Sequence, residues 1–346
     1  LQRSGNDNKV VRLLHNRAKS NPKKIIFAEA DHLDVLKAAQ ISYDEGIAIP
    51  ILLGNKEVIL ELKKELEFDA DVLIIDPNSD ESNATKDEYA IKYSNSRNRS
   101  GVSLYGARIK MRERNYFGAM MVREGDADGM ISGYSRAYPT VVKPIFEVIG
   151  RASDVKRVAT VNIMITDRGP LFLADTAINI DPTGEELAEI ARMTANVART
   201  FGFQPVMAML SYANFGSSNH PNASKVKQAV KILHESNPEL VVDGEVQIDF
   251  ALNKELHQSK FPFSKLAGKN VNTLVFPNLE SANITYKLLK ELNKADSIGP
   301  IMVGLRKSVH IMQLGASVDE IVNMSAVAVV DVQERERRKK ARSEAK

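Results

Sequence analysis

KKIIFAEADHLDVLKAAQISYDEGIAIPILLG, residues Lys23 to Gly54, decides the fold class. Its opening, KKIIFAEA (Lys23 to Ala30), is a short apolar run that fits a buried strand. The segment from His32 to Glu45 carries apolar residues at helical spacing, and IAIPILLG ending at Gly54 is a second apolar run. The pattern continues outward: Lys9 to Lys19 reads as a helix, another helix is expected to about Leu66, and DVLIID (Asp71 to Asp76) as a third strand. Strands alternating with helices imply an α/β chain with a mostly parallel, doubly wound sheet.

A length of 346 residues suits two domains, and 43% hydrophobic with 26% charged residues is a globular balance. With 47 basic against 44 acidic side chains, the net charge of +3 provides no global field for nucleic acid. The absence of cysteine excludes disulfides, thiolate metal sites and thiol nucleophiles, and fits a reducing cytosol. No apolar run approaches the ~18 residues of a membrane helix, and no signal-peptide core opens the chain. A soluble, cytoplasmic protein with no membrane partner is expected. The opening LQRSGNDNK has no initiator Met, which fits either an excised fragment or a cloning scar.

Farther along, Pro77 to Thr85 is turn-rich, and the next 35 or so residues read as helical around SRNRSGVSLYGARIKMRER. GDADGMISG (Gly125 to Gly133) is glycine-rich but is neither G-x-G-x-x-G nor a P-loop, so it supports no nucleotide site. Asp126 and Asp128 have no His or Glu at metal-ligand spacing, and no metal is expected. The polar stretch from Arg151 to Lys156 marks a domain crossing. RVATVNIMIT and PLFLADTAIN, joined by Asp167, Arg168 and Gly169, read as a β-hairpin. Thr183 and Glu186 have the spacing of a capping box. Past the strand in PVMAMLSYANFGSS come Ser211, Asn214, Gly216 and Ser217, on a loop where an open α/β sheet binds ligands, though these are equally turn formers. His220 reads as a surface residue. VNTLVFPNL is a further strand, with Pro277 and Asn278 opening a helix to Leu292.

The stretch Gly299 to Asn323, GPIMVGLRKSVHIMQLGASVDEIVN, reads as a strand ending at Gly304, a basic turn at Arg306 and Lys307, and a helical segment. A helix start beside cations suits an anion, and an ordinary connection suits the pattern equally. The final ERERRKKARSEAK is a solvated helix end or a disordered tail. It lacks the interleaved aromatics of a nucleic-acid binder.

GDADGMISG, LFLADTAINIDPT (Leu171 to Thr183), VFPNLESANITYKLL (Val275 to Leu289) and the Gly299 stretch, in that order, resemble the phosphotransacetylase family. The wording of FAEADHLDVLKAAQ and KSVHIMQLGASVDEIVNM is similar to the C-terminal region of hybrid bacterial NADP-dependent malic enzymes. The resemblance implies two three-layer α/β/α domains with mostly parallel sheets, of isocitrate/isopropylmalate dehydrogenase-like outline. Residues 1–151 with 304–346 would form one domain, residues 152–303 the inserted other, with coenzyme A derivatives bound in the cleft between.

The family's catalytic Ser-Arg pair and a Cys fall on Gln313, Leu314 and Ala316, which offer no base, charge or thiol. No catalytic residue is therefore expected, and Glu320 keeps the place of the family's acid. Ligand-binding positions implied by the resemblance are Arg97, Lys143, Thr176, Ser211, Asn214, Asn278, Arg306, Lys307, His310, Gln313 and Glu320. Lys143, near Thr140, stands for an arginine and loses its bidentate fork; Thr176 stands where the family commonly has a cysteine.

The implied function is a regulatory and oligomerisation region of an NADP-dependent malic enzyme, with acetyl-CoA as an effector that is not turned over. NADP, a divalent metal and the oxidative decarboxylation of malate would belong to an N-terminal malic enzyme domain of the same polypeptide. A homodimer or higher homo-oligomer is expected. The alternatives are an active phosphate acetyltransferase and a dehydrogenase of the isocitrate type, whose clustered Asp and Tyr-Lys pair have no counterpart here.

Overall fold

A computed structural model describes residues 9–293 and 296–344; the opening octet LQRSGNDN and the last two residues lie outside them. The chain divides into two compact units, one of residues up to Ala152 and from Leu305 onward, the other Ser153–Gly304.

In chain order the first unit holds α1 (Lys9–Lys19), β1 (Lys24–Phe27), α2 (Leu33–Asp44), β2 (Ile49–Leu53), α3 (Lys56–Glu65), β3 (Leu73–Ile75), α4 (Asn83–Arg97), α5 (Leu104–Lys110), α6 (Arg114–Glu124), β4 (Gly129–Ser132) and α7 (Tyr138–Val148). The second holds β5 (Ala159–Thr166), β6 (Gly169–Ala174), α8 (Gly184–Thr200), β7 (Val206–Leu210), α9 (Pro221–Ser236), β8 (Val241–Val246), α10 (Ile248–Leu252), α11 (Lys254–Lys260), β9 (Thr273–Val275), α12 (Leu279–Asn293) and β10 (Ser297–Val303). The chain then returns to the first unit with β11 (Ser308–Ile311) and α13 (Val318–Glu344).

The first sheet runs β11-β4-β1-β2-β3, every pair parallel. Its β4 and β11 are buried along their whole length, as strands covered on both faces must be. Helices α1, α2 and α13 pack together, with α13 also against β1, β4 and β11, while α6 and α7 pack against β4 and β11. The second sheet runs β10-β5-β6-β9-β7-β8. Its β6, β9, β7 and β8 are parallel; the β5–β6 hairpin and the β10–β5 pair are antiparallel. The hairpin turns at Gly169, whose φ of +106° a side chain would resist. At α8, Thr183 and Glu186 form the capping box in full.

The Gly299 to Asn323 stretch departs from its expected strand–turn–helix form. After the basic turn comes β11, not a helix, and the helix waits until Val318. SVHI is short, β-branched and fully buried beside β4, with Val309 opposite Met130, so burial in a parallel sheet decides its conformation. The basic turn therefore carries the chain from the second sheet to the first, and Arg306 and Lys307 flank no helix start. The helical block after Thr85 is also divided, with a break at Gly101, where φ is +78°.

The charged C-terminal stretch continues α13 to Glu344. There Glu334 accepts from Arg17, Arg337 and Arg338, and Arg335 donates to Asp331 and to the carbonyl of Leu305. Asp331 also lies 3.7 Å from Nε2 of the fully buried His310. Burial alone would raise the Asp331 carboxyl, but Arg335 and His310 together hold it well below the usual carboxylate range. No helix among the described residues is long and apolar enough to cross a membrane.

A second polar knot ties α7 to α4, α5 and α6. One oxygen of Glu147 accepts from Lys110 Nζ at 2.7 Å, Tyr93 at 2.7 Å and Tyr116 at 2.5 Å. Partial burial pushes this carboxyl up, yet the Lys110 ammonium and the two phenols outweigh it and hold the group at about 2. A carboxyl depressed in the folded state contributes stability above its unfolded value, near 4.5, and loses it as pH falls toward 2. Thermal melts of the native chain and Glu147→Gln should therefore differ most at neutral pH, and the gap should narrow steadily between pH 4.5 and 2. A gap independent of pH would show that the charge is not what binds α7.

Candidate ligand site at the strand ends

In a parallel sheet the carboxyl ends of all strands share one edge, and ligands gather where the strand order reverses. In the first sheet that point lies between β1 and β4, since β1 leads outward to β2 on one side and β4 neighbours β11 on the other. The loops after β1, β4 and β11 meet there.

Glu29, just past β1 and 1% exposed, is their centre. One carboxylate oxygen accepts the backbone N–H groups of Gly133 and Tyr134, both at 2.7 Å. The other accepts the N–H of Ser135 at 3.0 Å and its hydroxyl at 2.7 Å. Three successive N–H groups converging on one anion form a nest. Beside it, Arg114 at the start of α6 grips Asp31 through two contacts of 2.6 and 2.9 Å. Burial alone would raise Asp31, but the Arg114 guanidinium holds its carboxyl below the ordinary value. Ser132 at the end of β4 donates to Asn115 at 2.6 Å.

The loop after β11 is fastened to this cluster by backbone bonds, Met312 N–H to Ser132 O at 2.7 Å and Gly315 N–H to Tyr134 O at 2.9 Å. It ends in a second capping box, in which Ser317 and Glu320 bond each other's backbone N–H. Glu320 thus serves the start of α13. Within the loop Gln313 is half-buried, Leu314 is 70% exposed and Ala316 is buried.

The other expected ligand residues of this unit scatter. Arg306 and Lys307 precede β11, so they lie at the amino edge of the sheet, with the whole strand between them and Gln313. His310 is fully buried against α13. Neither the basic turn nor His310 belongs to the loop cluster. Lys143 is exposed on α7, the helix that follows the Gly133 loop. Arg97 ends α4, and its Nε is buried without a hydrogen-bond partner. Asp126 and Asp128 have structural contacts, the first with the Tyr89 hydroxyl and the second with the backbone N–H of Lys24. No group of His, Asp and Glu able to hold a metal occurs among the described residues.

In the second unit, Thr176, Ser211, Asn214 and Asn278 follow β6, β7 and β9, so all four share the carboxyl edge of the parallel strands. Their side chains differ in what remains open. Thr176 is 1% exposed and its hydroxyl accepts from Asn162 at 2.6 Å, an internal bond that takes it out of a ligand's reach. Asn278 accepts the Ser281 N–H and caps α12. Asn214 exchanges two bonds with Gln247, joining the loops after β7 and β8, and Ser211 is half-buried beside them. Glu29, Asp31, Arg114 and the buried Asp175, which gathers Thr160, Ala177 and Asn179, went unnoticed in the sequence. The one available signal was the pair of acids in AEAD immediately after a strand.

A family model described as Phosphate acetyl/butaryl transferase matches residues 9–329. The chain belongs to that family. Among relatives of this transferase-family chain, a phosphate acetyltransferase of Thermoanaerobacterium thermosaccharolyticum is 38% identical over 94% of this chain and 99% of that protein. An NADP-dependent malic enzyme of Escherichia coli is 36% identical over 94% of this chain, which spans only 43% of that enzyme's length. The structure of a phosphotransacetylase from Streptococcus pyogenes superposes with a TM-score of 0.87 at 34% identity, covering 96% of this chain and 100% of that one.

The nest dictates glycine at its first position. Gly133 has φ +107°, and a Cβ there would stand 2.9 Å from both Met312 O and Ile311 Cγ2. Gly133→Ala should cost about 2–3 kcal/mol in urea denaturation. Glu29→Gln, which turns a donor toward the nest, should cost about 2–4 kcal/mol. Losses below 0.5 kcal/mol in both would show that the nest does not organise this edge.

Proposed function

We propose that this chain is the C-terminal phosphotransacetylase-like region of a cytoplasmic NADP-dependent malic enzyme, binding acetyl-CoA as an effector without turning it over and joining copies of the polypeptide. One observation carries the reading: the loop after β11 keeps its backbone anchors and capping box, while Gln313, Leu314 and Ala316 leave it without a base, charge or thiol. A scaffold retained without its catalytic side chains suits binding better than turnover.

Acetyl-CoA brings anionic phosphates, an adenine ring and a thioester. Of the expected residues in the first unit, Arg97 has a buried donor without a partner and Lys143 an exposed cation, the kinds of group an anionic ligand calls for. In the second unit, Ser211 and Asn214 stand on a polar loop at the carboxyl edge of its parallel strands. NADP, a divalent metal and the decarboxylation of malate fall to an N-terminal portion of the kind that makes up the rest of the malic enzyme relatives. If the effector prefers one assembly state, it alters malic enzyme activity through a coupling of about 1–3 kcal/mol.

The second reading, an active phosphate acetyltransferase, draws on the relative matched over 99% of its length. Calorimetric titration with acetyl-CoA, paired with an assay for acetyl phosphate on the same sample, separates the two. Saturable binding without product is expected, and at 100 times the dissociation constant the ligand should stabilise the fold by about 2.7 kcal/mol. Acetyl phosphate well above background would replace the effector reading with the enzymatic one. No binding at millimolar ligand would remove both.

A further inference from the structure

In the second unit the loop after β7 carries a strained residue. Phe215 has φ +41°, in the left-handed region that a bulky side chain resists. Its N–H donates to the carbonyl of Glu245 at 2.8 Å, and its ring centroid lies 4.8 Å from Phe261, 5.2 Å from Phe263 and 5.9 Å from His257. Phe261 in turn lies 5.7 Å from His257 and 5.2 Å from Phe250. These rings fasten the loop to α10, to α11 and to the chain that follows α11. Such strain persists where the surrounding packing over-determines it.

His257 is the ionisable ring of the cluster, and it is 1% exposed. Its Nδ1 stands 3.3 Å from the carbonyl of Phe250, so Nδ1 carries the proton and donates, leaving a lone pair on Nε2. That Nε2 is buried with no hydrogen-bond partner. A neutral imidazole bears this arrangement. An imidazolium would aim a charged N–H into phenyl rings, which return to a cation far less than water does.

The surrounding charges do not reverse this. On β8, Asp243 favours the cation, but one of its oxygens already accepts the N–H of Gly244 and the other that of Lys265. Glu245, on the same strand, accepts the N–H of Gly216. Asp249 on α10 and Lys254, Glu255 and Lys260 on α11 are exposed, Lys265 is half-buried, and the loop after β7 adds the exposed Tyr212 and His220. Burial outweighs the Phe250 carbonyl and Asp243, and holds His257 below its ordinary value of 6.5.

We propose that His257 is an acid-sensitive latch on the second unit: neutral, it holds the aromatic cluster closed on the loop after β7, and protonated, it lets the cluster open and Phe215 relax. Ser211 and Asn214 move with that loop, so the carboxyl edge of this sheet presents a different surface in acid. The latch stands whether or not acetyl-CoA binds.

Opening returns the imidazole to its ordinary value, so the open form takes up a proton that the closed form refuses. The closed form is fully favoured above pH 6.5 and loses ground as pH falls below it, by at most about tenfold in population per pH unit, until His257 is charged in both forms.

Hydrogen exchange of the full chain without ligand, followed by mass spectrometry from about pH 7.5 to 5 and corrected for the intrinsic pH dependence of exchange, tests it. Protection of peptides spanning residues 211–218 and 257–263 should fall about tenfold across that range, while peptides from α8 hold theirs. His257→Gln, which keeps a donor for the Phe250 carbonyl, and His257→Phe, which keeps a ring, take no charge and should give flat profiles. A pH-independent native chain overturns the latch. A loss that persists in both variants assigns the proton to His220, Asp243 or Glu245 and overturns it as well, and an equal loss throughout the second unit shows general unfolding in place of a local opening. In the native chain the NMR signals of the His257 ring must shift over the same pH range as the protection; separate ranges overturn the latch even where neither variant folds.

Discussion

A buried carboxylate closed on consecutive backbone N–H groups is the constraint that organises the first unit. Glu29 has no solvent to stabilise its charge, and the Gly133 to Ser135 amides have no other acceptor at that position. Each group would be costly alone, and together they define one geometry for the loops after β1 and β4. The loop after β11 inherits that geometry, because its own backbone bonds run to Ser132 and Tyr134. Gly133 follows from the same requirement: the loop turns so closely under Met312 that no Cβ fits. The second unit uses the same device with Asp175, a buried acid that collects the donors of Thr160, Ala177 and Asn179 at the end of β6. In both units a buried acid serves as a fastener.

This division between fastening and chemistry gives the loop after β11 its meaning. The backbone of residues 312–317 and the Ser317–Glu320 box are anchored as firmly as a functional loop requires. The side chain at its most exposed point is an aliphatic one, Leu314. On the function proposed above, such a loop would hold a ligand without transforming it. Those two properties draw on different atoms, the first on peptide groups and distributed contacts, the second on a few ionisable side chains.

What the sequence made legible was governed by range. The strands β1 and β2, the hairpin at Gly169 and the Thr183–Glu186 box all rest on chemistry within a few residues, and all were read correctly. Glu29 was invisible because its partners stand more than a hundred positions away. SVHI misled for the opposite reason: four residues carry too little periodicity to separate a strand from the first turn of a helix, and only burial beside β4 decides. The error then moved Arg306 and Lys307 to the wrong end of the sheet, since sequence neighbours on either side of a strand lie at opposite edges. Thr176 was placed on the right edge, but whether its hydroxyl was open depended on Asn162 in a neighbouring strand.

The return of the chain through β11 and α13 bears on the order in which the protein can be made. The second unit is continuous in sequence and has all its strands once residue 304 has left the ribosome. The first unit has at that moment four of its five strands but not α13, the helix that covers β1, β4 and β11 and contacts α1 and α2. The apolar surface of β1 and β4 must wait, partly bare, until residues 318–344 have been made. Contacts joining residues near 15 to residues near 334 are as non-local as this chain allows, and closing them is slow. The segment from α1 to α7 is consequently exposed to aggregation for as long as α13 has yet to be made.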